Sequence, residues 1–486
     1  MILNTVGLML KVEAALLLLP AIAALIYGES CLWSILISAA ISLAAGFALT
    51  LLSRPKSQVI YAREGFITVA LAWVAVSAVG ALPFYISREI PSYIDAFFET
   101  VSGFTTTGAS ILANVEVMSR GLLFWRSFTH WVGGMGVLVF VMALVPSVTD
   151  RSIHIMRAEM PGPVVGKLMP RARDTASILY KIYVGMTLLQ IILMWAGGMP
   201  LYESIVHAFG TAGTGGFGVK ADSIAGYSPY LQWVITVFML LFGVNFNLYY
   251  LLLIRRFRAA AQSSECWYYL GIVGVSIALI TANILPMYES FQEALRLSAF
   301  QVASIVTTTG YATADFNTWP VFSQAILVIL MFIGACAGST GGGIKVARVV
   351  ILCKTSLADM RKMLHPNAVT TVRFEGKPLS ERNIRGVHLF LTVYILIFTV
   401  SVLLLSLERF DLITTFTAVA SCMNNIGPGL EMVGPMGNFS AFSPAAKLLL
   451  AFDMLVGRLE IFPMLLLFAP SIWKRRIGPV KSSRSL

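Results

Sequence analysis

The chain has 486 residues, of which 57% are hydrophobic and only 12% charged, and its mean hydropathy is +0.80. Soluble domains carry about 25% charged residues, so this composition excludes a large soluble protein and indicates a polytopic membrane protein. The net charge of +11 comes from basic residues in alternate loops, which the positive-inside rule assigns to the cytoplasm. The basic charge therefore reports topology and indicates no nucleic acid partner, and the five scattered cysteines indicate neither a disulfide framework nor a zinc site.

The first two apolar segments, residues 4–27 and 31–53, predict a pair of spanning helices in the lipid bilayer. They lack the loop motif that recurs in the rest of the chain. We therefore expect residues 1–55 to form two extra N-terminal helices beside the main assembly.

A short segment rich in threonine and glycine recurs four times between apolar stretches. The copies occupy residues 101–110, 211–217, 304–311 and, in a looser form, 421–428. We align them on Gly108, Gly215, Gly310 and Gly427. Each copy follows a helical segment that is too short to span a membrane, and a longer apolar segment lies on either side. Four variants of one loop predict four quarters of one ring.

The predicted fold is an all-α membrane protein with pseudo-fourfold repeats of helix, pore helix, filter loop and helix around one pore. Irregular backbone at membrane depth is tolerated only where protein buries it or where it lines a water-filled cavity. The expected units are 56–150 (repeat 1), 151–258 (cytosolic linker and repeat 2), 259–355 (repeat 3) and 356–486 (cytosolic linker, repeat 4 and basic tail). This gives ten spans with both termini in the cytoplasm, and linkers 147–175 and 354–383 that are long enough to dock a cytosolic partner.

The four loops have the chemistry of a site for a monovalent cation. Stacked backbone carbonyls can replace the water shell of an alkali ion, and glycine supplies the backbone angles that let successive carbonyls point inward. Each short helix directs its negative C-terminal end at the loop that follows it. None of the loops carries a charged side chain. Neutral oxygens bind a cation less tightly than carboxylates, which suits an ion that must also leave the site. Simple packing surfaces or flexible turns are the other interpretation.

A glycine-rich interruption breaks the last helix of the third repeat at residues 334–343. It contains Gly338, Ser339, Thr340, Gly341, Gly342 and Gly343. We predict a movable barrier to ions beneath the filter, and a packing kink is the alternative. A phosphate-binding loop would need Gly-Lys-Ser/Thr, but here Ile344 precedes Lys345 and Val346 follows it.

Charged side chains within predicted spans are costly and are usually paired or functional. Arg458, Glu460 and Asp453 lie in the last span. One interpretation is a structural ion pair, and the other is that Arg458 contacts the glycine-rich break and sets a cation barrier. Arg126 and His130 are expected to be structural.

Taken together, these motifs resemble the Trk/Ktr/HKT superfamily of potassium transporters, within it the Trk-type uptake subunits. Further residues that carry the resemblance are 124–127, 131–136, 157–163 and 457–460. The resemblance implies a bacterial inner-membrane homodimer that takes up potassium. It also implies a cytosolic regulatory subunit with dinucleotide-binding (RCK-type) folds, while this chain itself binds no cofactor. The implied ion-lining residues are Thr106 and Thr107, Gly213 and Thr214, Thr308 and Thr309, and Asn425 and Ile426, each pair ahead of its aligned glycine.

Three function classes follow from these features. The leading hypothesis is a potassium-selective pore that is gated by residues 334–343 and Arg458. The second is a secondary transporter that couples potassium to protons or sodium, with Asp453, Glu460 and His130 as its candidate coupling groups. An enzyme is not expected, because the five histidines supply neither a nucleophile–base pair nor metal ligands at helical spacing.

Overall fold

The computed structural model describes residues 2–53, 62–136, 172–367 and 370–469, and this part of the chain is almost entirely helical. The N-terminal pair of spans contains three helices. The first span is formed by α1 (Ile2–Leu16) and α2 (Leu18–Tyr27), and the second by α3 (Cys31–Leu52). The backbones of α1 and α3 approach closely at Gly7 and Gly46, where an added Cβ would lie within 2.8 Å of the carbonyl oxygen of the other glycine. Close contact through small residues is a usual way for membrane helices to pack.

The remaining helices repeat one pattern four times. The first repeat contains α4 (Ala62–Gly80), α5 (Leu82–Ile86), α6 (Tyr93–Phe104) and α7 (Arg120–Gly134). The second contains α8 (Ala172–Ala196), α9 (Leu201–Gly213), α10 (Pro229–Phe242) and α11 (Phe246–Leu253), and the short helix α12 (Phe257–Ala261) connects it to the third repeat. The third contains α13 (Ser264–Ile284), α14 (Phe291–Val306), α15 (Val321–Ile333) and α16 (Val346–Leu364). The fourth contains α17 (Glu381–Leu405), α18 (Leu412–Asn424), α19 (Pro444–Arg458) and α20 (Phe462–Leu467).

The short helices α6, α9, α14 and α18 are the predicted pore helices. Three of them begin at a side-chain cap, in which Ser92, Ser290 or Asp411 accepts a hydrogen bond from a backbone N–H of the first turn. Such a cap satisfies one of the free donors at a helix start. At the fourth helix the hydrogen bonds from Thr414 lower the pKa of the Asp411 carboxyl below its ordinary value.

The sequence predicts ten spans, of which the last one of the third repeat is interrupted. In the described part of the chain, six helices are long and apolar enough to cross a membrane: Ile2–Tyr27, Cys31–Leu52, Glu64–Ile86, Thr175–Ala196, Ser264–Met287 and Glu381–Glu408. They are the N-terminal pair and the first helix of each repeat. Within the described residues the second helix of each repeat is shorter, and in the first repeat the residues that follow Gly136 lie outside them, so the number of spans stays a prediction.

These second helices are interrupted in more than one repeat, whereas the sequence predicted a break in the third alone. In the second repeat α10 and α11 meet at 92°, where Gly243 ends one helix and Asn245 caps the next. In the fourth repeat the backbone of Glu460 and Ile461 is left-handed, with φ of 56° and 69°. The strands of the described residues are β1 (Arg373–Phe374) and β2 (Lys377–Pro378), which form a short antiparallel hairpin.

The predicted domain boundaries stay predictions. Residues 137–171, which hold most of the first cytosolic linker, lie outside the described residues, as do the inner loop 54–61 and the tail 470–486.

Candidate cation site

All four pore helices end in the same backbone geometry. The residue that follows each helix or its last turn is left-handed: Thr106, Thr214, Thr308 and Asn425 have φ of 56°, 56°, 60° and 56°. The next residue turns its N–H back to a helix carbonyl, over 2.9 Å from Thr107 to Ser102 and over 2.8 Å from Thr309 to Ser304. This is the usual way in which a left-handed cap satisfies the last carbonyls of a helix.

A glycine with positive φ follows two residues after each left-handed residue. These glycines are Gly108, Gly216, Gly310 and Gly427, with φ of 82°, 74°, 85° and 101°.

The structure therefore moves the alignment of the second loop by one residue. Gly216, and not Gly215, corresponds to Gly108, so Thr214 and Gly215 occupy the places that the sequence assigned to Gly213 and Thr214. Gly213 is the last residue of α9. The sequence alone cannot tell which of the two adjacent glycines aligns with Gly108. In the structure Gly215 lies against the His130 ring, which leaves Gly216 as the aligned glycine.

The four loops form a closed ring in which each aligned glycine faces the next loop. A Cβ on Gly108 would overlap the carbonyl oxygen of Gly215, and one on Gly216 that of Thr309. The same holds for Gly310 against Ile426, and a Cβ on Gly427 would lie 2.8 Å from the oxygen of Thr107. Only a residue without a side chain fits at these four positions. The loops that lie far apart in sequence are therefore in direct contact.

The residues just before these glycines have carbonyl oxygens that lack a hydrogen-bond donor within the described part of the chain. They are Thr106, Thr107, Thr214, Gly215, Thr308, Thr309, Asn425 and Ile426, two in each loop, and all are buried. None of these carbonyl oxygens accepts a hydrogen bond from the described residues. The buried hydroxyl of Thr106 also lacks a partner among them. Because most buried carbonyls in proteins are paired, oxygens left free at one place indicate a site for a cation.

A cavity of about 170 Å³ opens at the glycine end of the ring, and all four aligned glycines line it. Arg126 also lines it. Its guanidinium pairs with Glu99 at 2.6 Å, lies 3.4 Å from the Phe217 ring centre and donates to the Gly218 carbonyl over 3.3 Å. The Glu99 carboxylate in turn accepts hydrogen bonds from Ser110 and Ile111. This buried pair holds the ends of the first two loops together.

The glycine-rich break lies at the opposite end of the ring, against the helix side of the loops. The N–H of Gly342 donates to the Thr308 hydroxyl over 2.6 Å, and Gly341 packs against the carbonyl oxygen of Thr307. Positive φ at Gly334, Gly338 and Gly343 makes the turn. A Cβ on Gly342 would overlap the carbonyl oxygen of Asn424, so the segment closes the space directly beneath the third and fourth loops.

Arg458 reaches this segment, as the sequence suggested. Its guanidinium donates to the carbonyl of Thr340 over 3.0 Å and to that of Gly134 over 2.6 Å, and it also contacts the Gly133 carbonyl. A residue of the fourth repeat thus joins the end of α7 in the first repeat to the break in the third.

The other charged groups of the last span separate from Arg458. Glu460 forms an ion pair with Arg348 on α16, and Asp453 accepts a hydrogen bond from the Ser401 hydroxyl over 2.8 Å. His130 is fully buried, with Nδ1 2.7 Å from the Gly103 carbonyl oxygen, in the packing position expected for it.

Two features escaped the sequence reasoning. The first is the Glu99–Arg126 pair at the cavity, for which a carboxylate in a pore helix was the available signal. The second is Lys345, which is buried and donates its Nζ to the Gly341 carbonyl within the break. A lysine placed mid-span, two residues after the last glycine of the break, was a signal for it.

The comparisons with known proteins agree with this arrangement. The TrkH family model, which describes a cation transport protein, matches residues 33–284 and 284–475. The Trk system potassium uptake protein TrkH of Salmonella typhimurium is 37% identical over 477 residues, covering 96% of this chain and 98% of its own. The protein of the same name from Escherichia coli strain K12 is 36% identical, with the same coverage. The crystal structure of the potassium transporter TrkH from Vibrio parahaemolyticus is similar, with a TM-score of 0.86 and 32% identity, over 97% of this chain and 99% of that one.

Proposed function

Because the chain belongs to the TrkH family of cation transport proteins, we propose that this multi-pass membrane protein takes up potassium through the ring of four loops. It is a membrane transport protein rather than an enzyme. The observation that carries the proposal is the set of buried carbonyl oxygens ahead of Gly108, Gly216, Gly310 and Gly427, none of which accepts a hydrogen bond from the described residues. The relatives named above as potassium uptake proteins supply the identity of the ion.

The electrostatics favour a monovalent ion. The four pore helices direct their C-terminal ends at the ring, which adds the negative end of each helix dipole. The loops supply neutral oxygens and no carboxylate, so a potassium ion is attracted without being held too tightly to leave. Potassium is the substrate in this proposal, and this chain needs no cofactor of its own.

The purified chain in liposomes provides the direct test. We expect uptake of radioactive rubidium, which replaces potassium, and we expect added potassium to compete with it far better than added sodium. Empty liposomes prepared in the same way control for leakage. Equal competition by the two ions would contradict the proposed selectivity, and no uptake above the empty liposomes would contradict transport itself.

The gate of the proposed pore is the segment from Gly338 to Gly343 together with Arg458. Two contacts support this role: the segment touches Thr307 and Thr308 from below, and Arg458 fastens it to two other repeats. In this proposal the segment also has an open arrangement, and a change at these polar contacts shifts the balance between the closed and the open form.

The proposed assembly follows the family resemblance. The chain would form a homodimer in the bacterial inner membrane with both termini in the cytoplasm. A cytosolic regulatory subunit with dinucleotide-binding domains would control the gate. The basic loops support this orientation, and the name "Trk system" borne by the relatives is consistent with further subunits.

Coupled transport remains a second candidate because of Asp453. This carboxylate is fully buried in α19, and its Oδ2 has no hydrogen-bond partner among the described residues. A buried acid within a span is a usual place for a coupling proton. However, among the described residues the hydrogen bond of Asp453 goes to Ser401 of α17, and no hydrogen bond joins it to the four loops.

We expect Asp453→Asn to leave the reversal potential of the purified chain unchanged at every pH, because asparagine fills the same space and the pore carries potassium alone. Planar bilayer recordings at pH 6 and pH 8 in fixed potassium gradients would measure this. Ser401→Ala is the matched control for loss of the same hydrogen bond. A wild-type reversal potential that moves with the proton gradient, and that stops moving in Asp453→Asn, would favour the coupled transporter.

A further inference from the structure

The short hairpin of β1 and β2 contacts the start of α13, a helix that lies far from it along the chain. Its turn residues Glu375 and Gly376 have positive φ, of 50° and 72°, which turns the Glu375 side chain back toward the helices. Phe374 is buried in the same apolar cluster as Val350 and Val387. Lys354 of α16 donates to the Arg373 carbonyl over 3.2 Å. The hairpin is therefore fixed to the membrane helices rather than free in solvent.

The Glu375 carboxylate gathers three donors at the first turn of α13. The same oxygen accepts from the Ser263 hydroxyl over 3.2 Å, the Ser264 hydroxyl over 3.1 Å and the Glu265 N–H over 2.8 Å. A carboxylate at this place satisfies a free N–H and suits the positive end of the helix. The contact joins residues 110 positions apart, so it is a tertiary contact that holds the hairpin to the helix start.

The side chain of Glu265 continues the connection into the membrane. Glu265 is only 4% exposed, and its Oε1 accepts a hydrogen bond from the Ala337 N–H over 2.6 Å. Ala337 lies near the start of the glycine-rich break. One buried carboxylate thus fixes the start of the segment that touches Thr307 and Thr308.

We infer that Glu375 and Glu265 form a relay from the hairpin to the glycine-rich segment. Movement of the hairpin withdraws Glu375 from the start of α13 and shifts Glu265. That shift releases Ala337 and loosens the segment beneath the ring. Glu265 is therefore a positioning residue for the glycine-rich segment. The hairpin belongs to the linker between repeats three and four, so a conformational change in this linker reaches the segment through the hairpin. The inference rests on the proposed function only in treating this segment as the gate.

The relay predicts a change in the glycine-rich segment when Glu375 alone is altered. We expect backbone hydrogen exchange of residues 334–347 to become about tenfold faster in Glu375→Ala, because a charge-assisted contact that holds the segment through Glu265 is lost. Glu375→Gln, which keeps an acceptor oxygen, should give a smaller increase. Glu265→Gln should also accelerate exchange, because it removes the charge that the Ala337 N–H faces. Mass spectrometry of the full chain in lipid nanodiscs measures the rates.

Glu381→Gln is the matched control, since Glu381 lies in the same region but forms only an exposed pair with Arg385. It should leave residues 334–347 unchanged. Faster exchange in Glu375→Ala that stops at residues 263–265 would overturn the relay, as would no change in Glu265→Gln. Should Glu375→Ala fail to fold, Glu375→Gln carries the same test. Rubidium uptake by the wild-type chain is measured separately, so failure of transport and failure of the relay give different results.

Discussion

Replacing Gly310 with serine is expected to lower the preference of the chain for potassium over sodium by about tenfold or more. Gly310 has φ of 85°, a conformation that costs a residue with a side chain roughly 1–3 kcal/mol. The added Cβ would also overlap the carbonyl oxygen of Ile426. The two loops must therefore move apart, which displaces an oxygen of the ring. A change of about 1.4 kcal/mol in the relative binding of the two ions alters their ratio tenfold, so a small displacement is enough.

Gly108→Ser should behave in the same way, because its Cβ would overlap the oxygen of Gly215. Gly271→Ser is the matched control: Gly271 lies in α13 of the same repeat as Gly310, and an added Cβ there meets no atom within 4 Å. Competition of sodium and potassium for rubidium uptake in liposomes gives the ion ratio for each variant. Ratios equal to wild type in both Gly310→Ser and Gly108→Ser would contradict the assignment of the ring as the selective element.

Much of this site was predictable because it depends on local sequence. A pore helix starts after a capping residue such as Ser92 or Asp411 and ends at a threonine–glycine turn, and both signals lie within a few residues of the structure they produce. Four such units with apolar neighbours were enough to predict the repeats and the ring. The alignment of the second loop failed because Gly215 and Gly216 are equally permissive in the sequence, and only tertiary geometry distinguishes them: Gly216 has positive φ and faces Thr309, whereas Gly215 lies against the His130 ring.

The features that the sequence did not reveal depend on contacts between distant residues. Glu460 pairs with Arg348, which is 112 residues away, although Arg458 is its closer neighbour in sequence. The bend between α10 and α11 is stabilised by a hydrogen bond from Phe246 to the Gly338 carbonyl in another repeat. Hydrophobic periodicity reports which segments are buried in the membrane, but it contains no information on such partners. The charged residues around the break could therefore be identified from the sequence, but their ion-pair partners could not be predicted.

Replacing Arg458 with alanine is expected to raise rubidium uptake by the purified chain about tenfold in the absence of any regulatory subunit. The guanidinium donates to the carbonyls of Thr340, Gly133 and Gly134, and hydrogen bonds that involve a charged group contribute about 1.5–3 kcal/mol each. Without them the segment beneath the ring loses its connection to the first and fourth repeats, although contacts such as the one between Gly342 and Thr308 remain, so its open arrangement becomes more populated. Removal of a positive charge near the ion path acts in the same direction.

Arg458→Lys separates these two causes. Lysine keeps the charge, but a single ammonium group cannot reproduce the fork with which arginine spans carbonyls of two different repeats. Uptake near the alanine level would show that the bridge closes the pore, and uptake near wild type would show that the charge does. Deletion of several residues within 338–343 should raise uptake in either case, since it removes the barrier itself. Uptake at or below wild type in both the deletion and Arg458→Ala would refute the gate, because the segment would then support the ring instead of obstructing it.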